Sequence, residues 1–243
     1  MELNGKAALV TGGAHRLGRA FALGLARAGA DVIVDYQTSA DDAAETVAEI
    51  RALGRRAEAV RADVASEADV RRLVAACEAV LGRLDVLVNS ASLFHSAPVE
   101  STTTEDWDRT LAVNLKGPFL VSREAAPLLR ADGGGLIVNI ADLSAFQPWP
   151  SYVAHAVSKA GLVHLTRVLA RAFAPAIRVN CIAPGTVLPP EGYTEAESDP
   201  KGSRRVLRPE GTPEDAVRAL LYFVDADFVT GEVAVVDGGR MLL

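Results

Sequence analysis

The chain has 243 residues, of which 49% are hydrophobic and 23% are charged, and its formal net charge at pH 7 is −6. This length and composition predict one domain with a sizeable core. The acidic balance lacks the Lys/Arg excess that a surface for nucleic acid or anionic membrane requires, so neither partner is expected.

The start of the chain enters an apolar strand without the basic region and longer apolar run of a secretory signal, and no stretch has the length of a membrane span. Cys77 and Cys181 lie far apart inside apolar patterns, so we interpret them as buried free thiols. His95 and His164 lack partners at metal-ligand spacing, and no metal site is predicted. We therefore expect a cytoplasmic protein in a reducing compartment.

Short β-branched runs alternate along the chain with longer stretches of helical period. Helices are predicted to begin near Leu17, Ala40, Ser66, Thr104, Ser151 and Thr212. The predicted strands are Ala7–Val10, Val32–Asp35, Ala57–Ala62, Val86–Val88, Leu136–Ile140, Ile177–Ile182 and Val233–Val236. Apolar strands separated by amphipathic helices indicate an α/β fold. We expect a single doubly wound domain over residues 1–243, with a parallel sheet of about seven strands and helices on both faces.

The segment 188–207 departs from this alternation, because it is rich in Pro, Gly and acidic residues and has little apolar periodicity. We interpret it as a mobile loop over the substrate site, with an ordinary surface insertion as the alternative.

A glycine-rich turn follows the first predicted strand and leads into a helix. Glycines at such a turn let the backbone approach a pyrophosphate, which then rests on the amides and the positive dipole of the following helix. Glycine also occurs in ordinary turns, but its position between a strand and a helix favours dinucleotide binding. The residues expected to contact the dinucleotide here are Gly12, Ala14, His15, Arg16, Leu17 and Gly18.

Polar residues with helical spacing follow the fifth predicted strand. His155 and Lys159 are four residues apart, so on a helix they share one face and can meet a single substrate atom. Tyr152 lies three residues before His155 and would join that face, and Asp142 follows the strand directly.

Together these motifs resemble the short-chain dehydrogenase/reductase family, which has a Rossmann fold. The turn, with Arg16 at its middle glycine position, is similar to the Thr-Gly-x-x-x-Arg-x-Gly of the pteridine reductase and dihydromonapterin reductase branch. The family carries Tyr-x-x-x-Lys where this chain carries His155-x-x-x-Lys159. The resemblance covers essentially the whole chain.

In this family a Tyr protonates the substrate, a Lys lowers the pKa of that Tyr and holds the nicotinamide ribose, and a Ser and an Asn complete the relay. By position, the resemblance assigns Lys159 and Asn114 to the Lys and the Asn, Asp142 to the Ser, and His155 to the Tyr.

The proton donor is left open by the sequence. Imidazole is a useful acid only when protonated, which Lys159 disfavours and Asp142 favours. Imidazole also reaches about 2 Å less far than a Tyr hydroxyl, and a misplacement of about 1 Å can cost about a hundredfold in rate. Tyr152 could donate the proton instead, or only stack on the substrate. A protein that binds the dinucleotide with little or no turnover is the remaining alternative.

The resemblance also predicts which coenzyme is bound. In members that bind NAD, an acidic residue at the end of the second strand contacts the ribose 2′-hydroxyl. That position falls one residue after Asp35, where this chain has Tyr36, and neutral donors follow it. NADP(H) is therefore preferred, with NAD(H) as the alternative. Further cofactor contacts are implied at Tyr36, Gln37, Thr38, Ser39, Asp63, Val64, Asn89, Ser90, Ala91, Lys159, Pro184, Gly185, Thr186 and Val187.

The substrate is predicted from the segment after the fourth strand, where Ser92 and Phe94 resemble the branch's Asn-Ala-Ser-x-Phe. In that branch, the aromatic ring of this Phe holds a flat heterocycle against the nicotinamide. With Arg16, Asp142 and Tyr152, Phe94 favours a pteridine-like substrate, and a ketone or 3-oxoacyl reductase is the alternative. A homotetramer is expected from the resemblance, through helices around 104–129 and 151–173.

Overall fold

A computed structural model describes residues 1–131, 133–188, 206–207 and 211–243. Seven strands form one parallel sheet: β1 (Ala7–Thr11), β2 (Asp31–Tyr36), β3 (Ala57–Arg61), β4 (Val86–Asn89), β5 (Gly135–Ile140), β6 (Ile177–Pro184) and β7 (Val233–Val236). Their order across the sheet is β3-β2-β1-β4-β5-β6-β7. The predicted doubly wound sheet is confirmed. Most of the predicted loop at 188–207 lies outside the described residues.

The helices are α1 (Arg16–Arg27), α2 (Ala40–Ala52), α3 (Glu67–Leu81), α4 (Thr104–Leu111), α5 (Gly117–Ala131), α6 (Val153–Phe173) and α7 (Pro213–Asp225). Side-chain caps fix two of the starts, because Ser66 Oγ accepts a hydrogen bond from the Asp69 amide and Thr103 Oγ1 accepts one from the Asp106 amide. No helix in the described ranges has the length and apolar content that crossing a membrane requires.

One departure from the predicted helices lies at a predicted site residue, Asn114. The helix that begins at Thr104 is interrupted by a π-helix, Ala112–Lys116, before α5 continues it. A π-turn inserts one residue into the helical repeat and rotates the side chains that follow it. Here it contains Asn114, which is fully buried.

The core lies in two layers, one on each face of the sheet. Phe21 on α1 and Phe223 on α7 are fully buried on one face, and Leu73 on α3 and Leu129 on α5 are fully buried on the other. Burying each such side chain stabilises the fold by about 1.5–3 kcal/mol. The strands are therefore covered on both faces, which explains their nearly continuous apolar sequences.

Both cysteines are buried, as predicted. Burial raises the pKa of the Cys77 thiol and of the Cys181 thiol to about 12. Thiols that remain protonated at neutral pH are poor nucleophiles, so we assign both cysteines to packing.

The direction of chain winding reverses at β1, which lies between β2 and β4. In an open α/β sheet, ligands bind at this switch point, outside the carboxyl ends of the strands. Thr11 at the end of β1 is in register with Asn89 at the end of β4, which in turn is in register with Asn139 on β5. The segments that carry the predicted site residues therefore meet along one edge of the sheet.

Candidate active site

A cleft of about 520 Å³ runs along the carboxyl edge of the sheet. It extends from the turn after β1, past the ends of β2 and β3, to α6 and the segment after β6. The predicted site residues that line it are Gly12, Ala14, His15, Arg16, Leu17, Gly18, Tyr36, Gln37, Thr38, Ser39, Asp63, Val64, Ser90, Ala91, Ser92, Phe94, Asp142, His155, Lys159, Pro184, Gly185 and Val187.

Four other predicted residues lie outside this lining. Asn89 is buried beneath it and donates hydrogen bonds to Asn139 Oδ1 (2.8 Å) and Ser122 Oγ (3.1 Å). Thr186 accepts a hydrogen bond from Arg240 Nη1 at 3.0 Å. Asn114 and Tyr152 contact the lining from behind, as described below.

The turn after β1 is packed so closely that two positions require glycine. A Cβ on Gly12, which has φ +60°, would lie 2.8 Å from Ala91 Cα, and a Cβ on Gly18 would lie 2.1 Å from the Gly12 carbonyl oxygen. These contacts bring the start of α1 against the loop after β4. The backbone at the turn is left accessible from the cleft.

The first turn of α1 is suited to an anion. His15 is the N-cap residue, yet its side chain makes no capping hydrogen bond within the described chain, and the first turn has no acidic residue. The helix amides and dipole therefore favour a phosphate at this end. Arg16 has φ +53°, a left-handed conformation that is uncommon for a residue other than Gly and often marks a functional turn.

Thr11 is a site residue that the sequence analysis missed. Its Oγ1 accepts hydrogen bonds from the amides of Ser90 (3.0 Å) and Ala91 (3.2 Å), which holds the loop after β4 against the turn. A Thr directly before the glycine turn was the only sequence signal.

Asp35 lies directly beneath the turn. It is buried, and its Oδ2 accepts a hydrogen bond from the Gly12 amide at 3.1 Å. Burial raises the pKa of Asp35 to about 7; the Gly12 amide opposes this rise and the charge of Asp63 adds to it. The ribose contact was predicted one residue after Asp35, and the structure directs Asp35 Oδ2 to the turn at Gly12.

At the other end of the cleft, His155 on α6 contacts Asp142. His155 Nε2 lies 2.6 Å from Asp142 Oδ2, and His155 Nδ1 lies 2.9 Å from the Leu93 carbonyl oxygen. Because the Asp142 carboxylate can only accept, the contact at Nε2 places a hydrogen on that nitrogen. Nδ1 faces the Leu93 carbonyl oxygen, an acceptor, and also Asn114 Nδ2, a donor, at 3.3 Å. The imidazole is 2% exposed.

Asp142 caps the 3₁₀ helix Leu143–Ala145, and its Oδ1 accepts hydrogen bonds from the amide (2.8 Å) and hydroxyl of Ser144. Burial alone would raise the pKa of Asp142. The hydrogen bond to His155 and the charge of Lys159 outweigh that effect and lower this pKa to about 2. Asp142 is therefore a carboxylate at neutral pH, and its side chain, 21% exposed, is the accessible member of the pair.

Lys159 lies one helical turn beyond His155. Its side chain is buried, and Nζ donates a hydrogen bond to the Ile140 carbonyl oxygen at 2.9 Å. Burial lowers the pKa of Lys159, and the charge of Asp142 opposes that shift. The carboxylate, imidazole and ammonium therefore meet at one end of the cleft.

Asn114 positions the wall that carries Leu93. Its Nδ2 donates to the Leu93 carbonyl oxygen (2.9 Å) and to Ser158 Oγ (3.1 Å), and its Oδ1 accepts from the Leu93 amide (2.7 Å). Because the same carbonyl contacts His155, Asn114 fixes one side of the imidazole. Ser158 and the Leu93 carbonyl had not been predicted, and a backbone carbonyl has no sequence signal.

The aromatic ring of Phe94 lines the cleft and is backed by that of Tyr152. Phe94 is 51% exposed and stacks on Tyr152, with ring centroids 4.5 Å apart and an interplanar angle of 21°. Phe94 also contacts the His155 ring edge-on at 4.8 Å. Tyr152 is the N-cap of α6 and not part of the helix, so its ring lies behind Phe94 and not on the face of Lys159.

Comparison with known proteins supports one family. A family model described as Enoyl-(Acyl carrier protein) reductase matches residues 12–240. A relative from Hericium erinaceus named short-chain dehydrogenase/reductase eriH is 38% identical, over 96% of this chain and 97% of its own. A relative from Eggerthella lenta named 3beta-hydroxysteroid dehydrogenase 1 is 35% identical, over 99% of this chain and 95% of its own.

A solved structure gives the same result for the fold. The crystal structure of FolM alternative dihydrofolate reductase 1 from Brucella canis, complexed with NADP, has a TM-score of 0.90 to this chain and is 35% identical to it. The match covers 100% of this chain and 97% of the other. The chain therefore belongs to the short-chain dehydrogenase/reductase family of nicotinamide-dinucleotide-dependent oxidoreductases.

Proposed function

We propose that this protein is an NADPH-dependent reductase that reduces a pteridine-like ring, with a proton relay made of His155, Asp142 and Lys159. The observation that carries the proposal is the meeting of these three side chains at one end of a cleft whose other end is the glycine turn. Packing alone does not call for a carboxylate, an imidazole and an ammonium in one buried place.

The coenzyme end of the cleft fits a phosphorylated dinucleotide. A bound NADPH would supply a hydride. The turn after β1 and the first amides of α1 would hold its pyrophosphate. Tyr36 ends β2 where an acid would repel a 2′-phosphate, and the polar, uncharged Gln37, Thr38 and Ser39 follow it in the lining. The NADP complex of the Brucella canis relative supports the same preference.

The chain's own residues can deliver the proton. As hydride adds to carbon, the neighbouring oxygen or ring nitrogen of the substrate gains an electron pair and must be protonated. His155 Nε2 lies 2.6 Å from Asp142 Oδ2, and Asp142 is the more accessible member of the pair. We infer that a protonated His155 passes its Nε2 proton to Asp142 Oδ2 and that Asp142 passes it to the substrate, which leaves His155 neutral and Asp142 ionised.

Lys159 completes this arrangement. A buried ammonium close to Asp142 stabilises the carboxylate throughout the transfer, and it would also hold the nicotinamide ribose. Tyr152 has a different role in the proposal, because its ring supports Phe94.

Phe94 is the residue that favours a flat substrate. One face of its ring is stacked on Tyr152, while half of the side chain remains exposed at the cleft beside His155. Stacking on an aromatic ring contributes about 0.5–1.5 kcal/mol beyond area burial. Phe94→Ala is therefore expected to raise the KM for a dihydropterin about 3- to 10-fold with a smaller change in kcat, measured by steady-state NADPH oxidation.

Phe228→Ala is the control for this variant, because Phe228 is fully exposed and lies outside the cleft lining. The KM of this control is expected to match that of the wild type. An unchanged KM in Phe94→Ala as well would remove Phe94 from substrate binding.

The proposed function is tested by assaying NADPH oxidation with dihydrobiopterin, dihydrofolate, simple ketones and a 3-oxoacyl thioester. Turnover of a pterin supports it. A second candidate is a ketone or 3-oxoacyl reductase, which the likeness to a 3beta-hydroxysteroid dehydrogenase favours. Activity on ketones with none on pterins would select that candidate. Coenzyme binding without turnover of any substrate on the panel would select a third candidate, a protein that binds the dinucleotide but does not catalyse a reaction.

We also propose a homotetramer, as members of this family form through the helices corresponding to α4, α5 and α6. The surface between these helices is apolar, with Phe119 and Val168 both at least 40% exposed beside a groove that Trp107 and Leu165 help to line. Light scattering is expected to give about four times the chain mass of 25.5 kDa. A monomer mass at micromolar concentration would contradict this.

A further inference from the structure

A buried carboxyl group that the proposed hydride chemistry does not use lies beneath the glycine turn. Asp35 is 2% exposed, and its Oδ2 accepts the Gly12 amide hydrogen at 3.1 Å. Its Oδ1 is also buried and, among the described residues, has no hydrogen-bond partner at good geometry, although the Ala62 amide is near enough to favour the carboxylate. A buried carboxylate with an oxygen that lacks a donor is destabilised relative to its neutral form.

Two further carboxylates face Asp35. Asp63 follows β3 and Asp69 lies on α3, and both disfavour a negative charge on Asp35. Together with burial, which contributes most, they outweigh the Gly12 and Ala62 amides, which act in the opposite direction, and the pKa of Asp35 rises to about 7. This carboxyl can therefore change its charge in the neutral pH range.

The other titratable groups on the elements around Asp35 include Cys77, His15 and Arg16. The Cys77 thiol faces it from α3, and burial raises the pKa of Cys77 to about 12, so this thiol is neutral. His15 and Arg16 line the cleft from the turn after β1, and both lie at the exposed surface, whereas Asp35 is buried.

We propose that Asp35 is a specificity-determining residue, whose neutral form admits the anionic dinucleotide and whose ionised form repels it, NADP(H) more strongly than NAD(H). This inference rests on the proposed function, because it takes the cleft to be the dinucleotide site. Asp35 supports the turn at Gly12 and directly precedes Tyr36, so its charge lies close to the expected positions of both the pyrophosphate and the 2′-phosphate. Coulomb repulsion between like charges is stronger inside a protein than in water.

Coenzyme binding and protonation of Asp35 are therefore coupled. Because a bound anion favours protonated Asp35, the protein is expected to take up a fraction of a proton per site when the coenzyme binds near pH 7. For the same reason, the Kd for NADPH is expected to rise about tenfold between pH 6 and pH 8.5.

The experiment is calorimetric titration at pH 7 in two buffers of different ionisation enthalpy, which counts the protons taken up. NADH is the ligand, because the 2′-phosphate of NADPH itself titrates near pH 6. Asp35→Asn replaces the carboxyl with a neutral group of the same shape. Asp42→Asn, at an exposed position on α2, is the matched control.

The wild type and Asp42→Asn are expected to take up a proton fraction that Asp35→Asn does not. Asp35→Asn is also expected to bind NADPH about tenfold more tightly than the wild type at pH 8.5 and equally at pH 6. Binding without proton uptake in the wild type, or uptake that persists in Asp35→Asn, would overturn the inference and leave the proposed function intact. If neither coenzyme binds the wild type, both fail.

Discussion

Asp142→Asn is expected to lower kcat by about 10²- to 10³-fold, because a neutral amide cannot stabilise the protonated His155 or pass its proton to the substrate. In the wild type the carboxylate accepts from His155 Nε2 at 2.6 Å and is the exposed member of the pair. The KM for coenzyme is expected to change less, since Asp142 lies at the opposite end of the cleft from the turn at Gly12. Steady-state kinetics with NADPH and the preferred substrate measures both constants.

The effect of Asp142→Asn on stability is expected to depend on pH. The pKa of Asp142 is lowered from 3.8 to about 2, so its folded value lies below its unfolded value. Stability from this group is present above pH 4 and is lost as the pH falls through 2. Asp142→Asn is expected to cost about 2 kcal/mol of unfolding free energy at pH 7 and much less at pH 2, measured by urea denaturation.

The control for both measurements is Asp225→Asn, which removes an exposed carboxylate at the end of α7. Neither kcat nor the free energy of unfolding is expected to change appreciably in it. Turnover in Asp142→Asn within a factor of three of the wild type would take this carboxylate out of the proton relay.

Lys159→Met is expected to lower kcat by about 10²-fold or more and to weaken NADPH binding. Methionine keeps most of the apolar stem but removes a buried ammonium that donates to the Ile140 carbonyl oxygen and faces Asp142. Without that charge the pKa of Asp142 rises, and in the proposed function a ligand of the nicotinamide ribose is lost. Stopped-flow turnover and a fluorescence titration with NADPH separate the two effects.

Lys116→Met is its matched control, because Lys116 is exposed on the π-helix and lies outside the cleft lining. Turnover and NADPH affinity in that variant are expected to equal those of the wild type. Equal values in Lys159→Met as well would contradict a role for Lys159 in either step.

The fold could be predicted because short apolar strands and amphipathic helices differ in period, and each predicted strand is found within about two residues of its expected bounds. The π-helix that interrupts the helix beginning at Thr104 could not be predicted. The π-helix coincides with contacts of Asn114 to Leu93 and Ser158, which are distant in sequence. Local periodicity carries no information about them.

The cleft residues were predictable largely because they follow strand ends, which meet at one edge of a parallel sheet. Orientation was not predictable. Tyr152 fitted a helical spacing with His155, but it is the N-cap and its ring turns to Phe94. The contact between His155 and Asp142 depends on how the 3₁₀ helix at Leu143 packs against α6, which the sequence alone left open.

The most direct test is a crystal structure of the protein with NADPH and a non-reactive pterin. We predict that the pyrophosphate lies on the turn at Gly12, that the pterin stacks on Phe94, and that the nicotinamide C4 atom faces the substrate atom nearest to Asp142 and His155. A dinucleotide bound elsewhere, or Asp142, His155 and Lys159 directed away from the nicotinamide, would contradict the proposed reductase.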